Sequence, residues 1–140
     1  MNDAGRQVAR VREALGAQAA GWWTLDAGLL SLRAFDPGPT FPDDCVEPFT
    51  EAARVVPVDR VELSIARAAA GTSVRSVAVE LPDDVGSGYW LRRFGATHSV
   101  AVPVRAADGR VVAVVSMSFT APSPADHEIE RTVQTLTGGF

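Results

Sequence analysis

The sequence predicts an α+β domain, a mainly antiparallel sheet with helices packed on it, and three observations carry that prediction. Near the C-terminus, two β-branched runs, Thr97 to Arg105 and Arg110 to Phe119, flank Asp108-Gly109, a dipeptide suited to the positive φ angles of a tight hairpin turn. Near the N-terminus, Trp22 to Leu25 and Leu29 to Phe35 flank a second turn at Asp26-Ala27-Gly28. Segments with apolar residues every three or four positions precede the first hairpin and follow the second. Strands joined by hairpins at both ends of a chain favour antiparallel pairing over a parallel crossover design.

The first helix is predicted over Gln7–Gln18, where Val8, Val11 and Leu15 share a face, with Gly21 before the first strand. From Asp36 to Pro48, Pro37, Pro39, Pro42 and Pro48 forbid a strand or long helix, so a surface loop with a short helical turn at Glu51 to Arg54 is expected. Asp59 then reads as the N-cap of a helix, with Glu62 at the capping-box position, Val61, Ile65, Ala68 and Ala69 on its apolar face and Gly71 at its end. Thr72 to Val79 is a strand, Leu81 to Gly88 a loop, and Tyr89 to Phe94 a short helix stopped by Gly95. After the hairpin, the final helix starts with Ser123 as N-cap and Pro124 as its first residue. It carries Ile129, Val133 and Leu136 as a stripe and stops at Thr137-Gly138-Gly139-Phe140.

With 140 residues and no internal repeat, the whole of 1–140 reads as a single domain. A composition of 46% hydrophobic and 21% charged residues excludes wholesale disorder. The net charge of −4, with no basic face to offset it, argues against nucleic acid as a direct partner. Cys45 is the single cysteine, which excludes an intrachain disulfide and a cysteine metal cluster. The start Met1 to Arg6 is polar, unlike a signal peptide, and the apolar run Val111 to Val115 falls far short of the ~20 residues of a membrane span. A cytoplasmic protein with no membrane partner is the expectation.

Strand alternation puts Ser116 and Ser118 on one face and Met117 and Phe119 on the other. Hydroxyls sealed in a core without partners cost roughly 1–3 kcal/mol each, and a solvated cavity removes that cost. A solvent-exposed face would remove it too. Val114 and Ala101 join the serine face, and Ser99 lies opposite on the neighbouring strand, so small side chains leave room there for a ligand. Tyr89 and Trp90, preceded by Gly86 and Gly88, have the make-up of a mobile lid over an apolar cavity, or of an ordinary short helix anchored to the sheet. Trp22 and Trp23 must face opposite ways, so one of the two can reach the cavity.

No catalytic constellation and no cofactor motif is found. His98 and His127 lack further ligands at zinc spacing, so no metal site is expected. Cys45 lies beside Asp43 and Asp44, whose charges disfavour a thiolate. Gly86-Ser87-Gly88 has neither the lysine nor the length of a phosphate loop.

The order of elements resembles the GAF domain over essentially the whole chain. Ile65 to Val74, with Gly71-Thr72, is similar to the family's helix that runs through a glycine into a middle strand, and Ser99 to Val115, with Pro103 and Gly109, is similar to its closing hairpin. The resemblance implies a sheet of five to six strands, with the terminal helices on one face and a ligand cavity on the other. The hairpin also resembles the effector-binding domain of IclR-type transcription regulators, a GAF relative with a small residue on the penultimate strand and Ser-x-Ser on the last. Carried over, that places Ser99, Ser116 and Ser118 on the ligand side. The sequence departs from that family in having no helix-turn-helix ahead of the sensor, so a DNA-directed role needs another chain. The acidic residue expected before the penultimate strand is not evident either, and Tyr89 stands near its place.

Specialised GAF offshoots fit less well. The free-methionine-sulfoxide reductases use several cysteines, Cys45-Val46 does not match the bilin attachment site, and the motif of cyclic-nucleotide-binding members is missing. The resemblance further implies dimerisation through the helices Gln7–Gln18 and Ser123–Thr137, with Val8 or Val133 available to a second copy.

Two readings stay open at this point. One is a freestanding sensor holding a small, partly polar molecule among Ser99, Ala101, Val114, Ser116, Ser118, Tyr89 and Trp90, with a separate output protein. The other is an interaction module whose cavity is filled by its own side chains. A small enzyme is the least favoured reading.

Overall fold

A glycine fixes where the first helix stops. The computed structural model describes residues 3–84 and 86–137, and within it α1 spans Asp3–Leu15. Gly16 takes φ +65, and the Ala17 N–H donates to the Arg12 carbonyl at 3.0 Å, closing a Schellman cap. The stop therefore falls before Gln18, which the sequence reading kept in the helix. The Gln18 N–H instead donates to the Ser118 carbonyl at 2.7 Å, beside the sheet. Met1, Asn2 and Gly138-Gly139-Phe140, which entered the expectations for the two ends, lie outside the described residues, as does Val85.

β1 (Ala19–Asp26) and β2 (Leu29–Pro37) form the first hairpin. Ala27 and Gly28 both have positive φ (52 and 78), the signature of a two-residue turn whose twist matches the strands. A bulge at Trp22/Trp23 shifts the register.

The proline-rich segment corrects an expectation. It holds a ten-residue helix, α2, over Asp43–Ala52. Pro42 precedes it, and Asp43 and Asp44 occupy the first turn, where the helix dipole favours negative charge. Pro48 lies inside. Both Pro48 and Asp44, whose carbonyl loses its helical donor, are exposed, so water can serve that carbonyl. β3 (Val55–Pro57) follows as a short edge strand paired with Leu29–Ser31. It has the length and the proline that edge strands tolerate.

α3 is five residues long, Ser64–Ala68, rather than the full helix expected from Asp59. Residues 58–63 are a run of turns, with Arg60 N–H bonded to Pro57 O and Leu63 N–H to Arg60 O. Val61, assigned to an apolar face, is 59% exposed. β4 (Val74–Val77) gives way to a 3-10 turn at Ala78–Glu80 where strand was expected. α4 starts three residues earlier than expected, over Gly86–Phe94.

β5 (His98–Arg105) and β6 (Val111–Phe119) form the closing hairpin. Only Gly109 in its turn has positive φ (+86); Asp108 instead accepts the Arg110 N–H on its side chain at 3.0 Å. α5 spans Asp126–Leu136 and begins beyond Ser123, the expected cap. The Ser123 hydroxyl meets His98 Nε2 at 2.8 Å.

The six strands form one sheet in the order β3-β2-β1-β6-β5-β4, every neighbouring pair antiparallel. One face carries Trp22, Val100, Val102, Val115, Met117 and Phe119 and is covered by α1 and α5. Gln7 Nε2 ties the two helices by donating to the Thr137 carbonyl at 3.3 Å. Val8 and Val133, expected to be open to a second copy, are 0% and 1% exposed. They belong to this core, where burial stabilises by about 1.5–3 kcal/mol per large apolar side chain. The opposite face carries the serines under α2, α3 and α4.

Candidate functional site

Small side chains on the sheet and large ones on the helices leave a gap between them. On β6, Ser116 and Ser118 sit between β1 and β5, Ser116 opposite Gly21 and Ala101, Ser118 opposite Ala19 and Ser99. None of these can reach far from the sheet. Above them stand Phe49 of α2 and Trp90 and Phe94 of α4. The result is a cavity of about 150 Å³ with a serine floor and an aromatic wall.

The wall is made of rings packed edge to face. Phe49 meets Phe94 at 5.0 Å and 86°, and Trp90 at 5.2 Å and 76°. Trp23 closes one end, its Nε1 donating to the Ala53 carbonyl at 2.8 Å. Trp22 points to the other face, as the alternation required. Ala52 and Arg60, both exposed, mark the mouth. The Arg60 guanidinium is held by Glu62, with Nε and Nη2 at 3.2 and 3.1 Å from Oε2.

The hydroxyls divide into two kinds. Ser118 Oγ donates to Gln18 Oε1 at 3.0 Å, and Gln18 Nε2 donates to the Phe94 carbonyl at 2.8 Å, so this pair bolts the sheet to the end of α4. Ser87 Oγ accepts the Ser64 N–H at 2.9 Å, giving α3 the cap that Asp59 was expected to provide. Ser99, Ser116 and the Ser64 hydroxyl have no hydrogen-bond partner among the described residues and face the cavity. Ser99 and Ser64 are nevertheless 6% and 5% exposed.

Ser99, Ser116, Ser118 and Trp90 of the expected set line this space together. Ala101 and Val114 share the serine face but pack into the neighbouring apolar cluster with Trp23, Leu30 and Ile65. Tyr89 is turned to the surface side of α4, against Trp90 at 5.0 Å, with Arg93 Nη1 donating to its hydroxyl at 3.2 Å. The glycines before it pack closely against other backbone. A Cβ on Gly88 would sit 1.9 Å from the Pro82 carbonyl oxygen and one on Gly86 2.3 Å from that of Glu62, so both exist for close backbone packing.

The sequence reading missed Phe49, Phe94, Ser64, Ser87, Arg60 and Gly21 as lining residues. Alternation did offer Gly21, which shares a face with Trp23. Phe49, Phe94, Ser64 and Ser87 come from helices whose rotation about the sheet no local pattern encodes, and Arg60 comes from the turns ahead of α3.

A family model for the GAF domain matches residues 6–138 of the sequence. The chain belongs to the GAF domain family. No curated protein matches it. Among solved structures it is similar to a GAF domain/HD domain protein from Geobacter sulfurreducens, with TM-score 0.68, 14% identity and coverage of 94% of this chain and 85% of that one. It is also similar to the GAF domain of a two-component sensor histidine kinase from Bacillus halodurans, at TM-score 0.67, 11% identity and coverage of 94% and 84%. A third is the type II free methionine-R-sulfoxide reductase from Thermoplasma acidophilum, at TM-score 0.65, 13% identity and coverage of 94% and 82%. At these identities the likeness is one of fold.

Arg60, at the mouth, is the titratable side chain among the described residues that lines the cavity of this GAF domain. Among the described residues, no His, Cys, Asp or Glu lines it, and no group of three such residues could hold a metal ion. Cys45 is buried on α2, its Sγ 3.5 Å from the Arg93 carbonyl. Burial pushes its thiol above the ordinary range against the opposing pull of Arg93, and Asp44 adds to the rise. His98 is buried against Phe119 on the α1/α5 face, and burial holds its pKa below the ordinary value, helped by Arg75 and opposed by Asp126. No helix among the described residues is long and apolar enough to cross a membrane.

Proposed function

We propose that this GAF domain is a sensory module that binds a small molecule in the cavity between the serine floor and the aromatic wall. The observation that carries the reading is the free hydroxyls of Ser99 and Ser116 facing an open space. A domain whose core filled itself would bury partnered or apolar groups there, since a stranded hydroxyl costs about 1–3 kcal/mol. A ligand satisfies those groups and couples their satisfaction to its own presence. Family membership supports the regulatory role, and similarity to the kinase GAF domain agrees with it.

The fold also hosts a reductase. The lining favours binding over catalysis here, because among the described residues no base adjoins the hydroxyls to activate them as nucleophiles. Ser99, Ser116, Ser64 and Trp90 are the contacts assigned to the ligand, while Ser118 holds the floor in place.

A thermal-shift screen of the purified chain, run beside a Ser116→Phe variant that fills the cavity, tests the reading. A ligand at a hundredfold its dissociation constant adds about 2.7 kcal/mol and raises Tm by several degrees. Hits that vanish in the filled variant support the sensor. Hits that persist in it place binding elsewhere and overturn the proposal.

A further inference from the structure

Resting on that reading of the cavity, we infer that its ligand is an uncharged single-ring compound with a hydrogen-bonding edge, the ring against Phe49 and Trp90 and the edge on Ser99, Ser116 and Ser64.

Size sets the first limit. A cavity of about 150 Å³ is the volume that accepts one benzene-sized ring when its walls are apolar. Two fused rings bearing a sugar phosphate, or a linear tetrapyrrole, exceed it.

Charge sets the second. Among the described residues, the interior lining carries no ionised side chain, so a buried carboxylate, phosphate or ammonium would lose its hydration without a counter-charge. The one cation at the mouth, Arg60, is already answered by two hydrogen bonds to Glu62. Glu62 is held below the ordinary carboxylate range by its own backbone N–H and by Arg60, so it stays ionised and keeps that pairing. A zwitterionic amino acid meets the same obstacle twice.

Shape and polarity set the third. Phe49, Phe94 and Trp90, packed on one another, line the gap, where another ring can continue the packing. Opposite them, three unpartnered hydroxyls both donate and accept, so they suit an amide, phenol or ring N–H/C=O rather than a plain hydrocarbon.

The experiment titrates the full chain with phenol, benzamide, toluene and benzoate, read by saturation-transfer NMR and by Trp23 and Trp90 fluorescence. Phenol and benzamide are expected to bind. The Ser99→Ala/Ser116→Ala double variant is expected to weaken both about tenfold, the loss of one or two net hydrogen bonds. A cooperative thermal unfolding transition, recorded for the variant beside the parent, reports that the variant is folded. Benzoate binding more tightly than benzamide overturns the uncharged class while leaving the sensor reading intact. Toluene matching phenol in the parent chain overturns the polar-edge requirement. If none of the four binds, the inference falls. The sensor reading then survives only if the screen yields a different ligand that Ser116→Phe abolishes.

Discussion

The Trp23 indole lies over Gly21, two residues earlier on the same face of β1, so closely that a Cβ on Gly21 would stand 2.6 Å from Cζ3 and 2.7 Å from Cη2. The ring cannot yield cheaply. Its Nε1 donates to the Ala53 carbonyl, and it packs T-shaped with Phe49 at 6.4 Å between centroids and 83°. Gly21 is thus the residue that lets a tryptophan lie flat and close one end of the cavity instead of standing inside it.

Gly21→Ala is therefore expected to destabilise the domain by about 1–3 kcal/mol, the usual cost of overpacking. In an unconstrained strand the same change would gain about 0.5–1 kcal/mol. Urea denaturation gives the sign directly, and a shifted tryptophan emission reports movement of the ring. A stabilised variant with unchanged emission would show that the contact is slack.

Ser116 and Ser118 are two residues apart on one face, yet opposite outcomes are expected. Ser118→Val strands Gln18 Oε1, on a side chain only 4% exposed, and costs about 1–3 kcal/mol. Ser116→Val removes a hydroxyl that no protein group uses and adds a β-branched side chain to a strand, so stability holds or rises by up to about 1 kcal/mol. Denaturation midpoints separate the two. Equal losses at both positions would mean that Ser116 has a structural partner.

Gly88→Ala tests why α4 begins with glycines. Alanine is worth about 1 kcal/mol over glycine inside a helix, but here its Cβ would meet the Pro82 carbonyl at 1.9 Å. The clash wins, with a net loss of at least about 1–3 kcal/mol. Gly109→Ala is the control: nothing lies within 4 Å, so only the positive φ of +86 opposes it, at a cost of roughly 1–2 kcal/mol. A larger loss at Gly109 than at Gly88, measured in the same denaturant series, would contradict the packing account of α4.

These residues also mark what the sequence discloses. The two hairpins were legible because alternation and glycine turns act over a few residues, and the same rule put Ser99, Ser116 and Ser118 on one face. α2 was hidden because the propensity of Pro48 outweighs local pattern, although an exposed proline whose orphaned carbonyl is open to solvent leaves the helix intact. The α3 cap was misplaced for a related reason. Asp59 satisfies the local rule, but Ser87, 23 residues from Ser64, supplies the acceptor through tertiary contact. The aromatic wall shares this origin. Phe49 and Phe94 are distant in sequence and meet only once α2 and α4 settle on the sheet.

The last expectation concerns acid. His98 is 5% exposed, stacked 5.0 Å from Phe119, with Nδ1 2.8 Å from Thr97 Oγ1 and Nε2 2.8 Å from Ser123 Oγ. Through Ser123 it holds the segment between β6 and α5. Its folded pKa is depressed from 6.5, by burial first and by Arg75 second. Between that depressed value and about 6.5 the unfolded chain binds more protons than the folded one, so stability rises with pH across the window. The His98 penalty is absent well above pH 6.5, grows as pH falls below it, and stops growing once pH drops under the folded pKa. Denaturation midpoints measured from pH 7.5 down to pH 5 should fall, and His98→Gln should flatten that slope while lowering stability at every pH. An equal slope in the variant would assign the acid sensitivity to carboxylates instead.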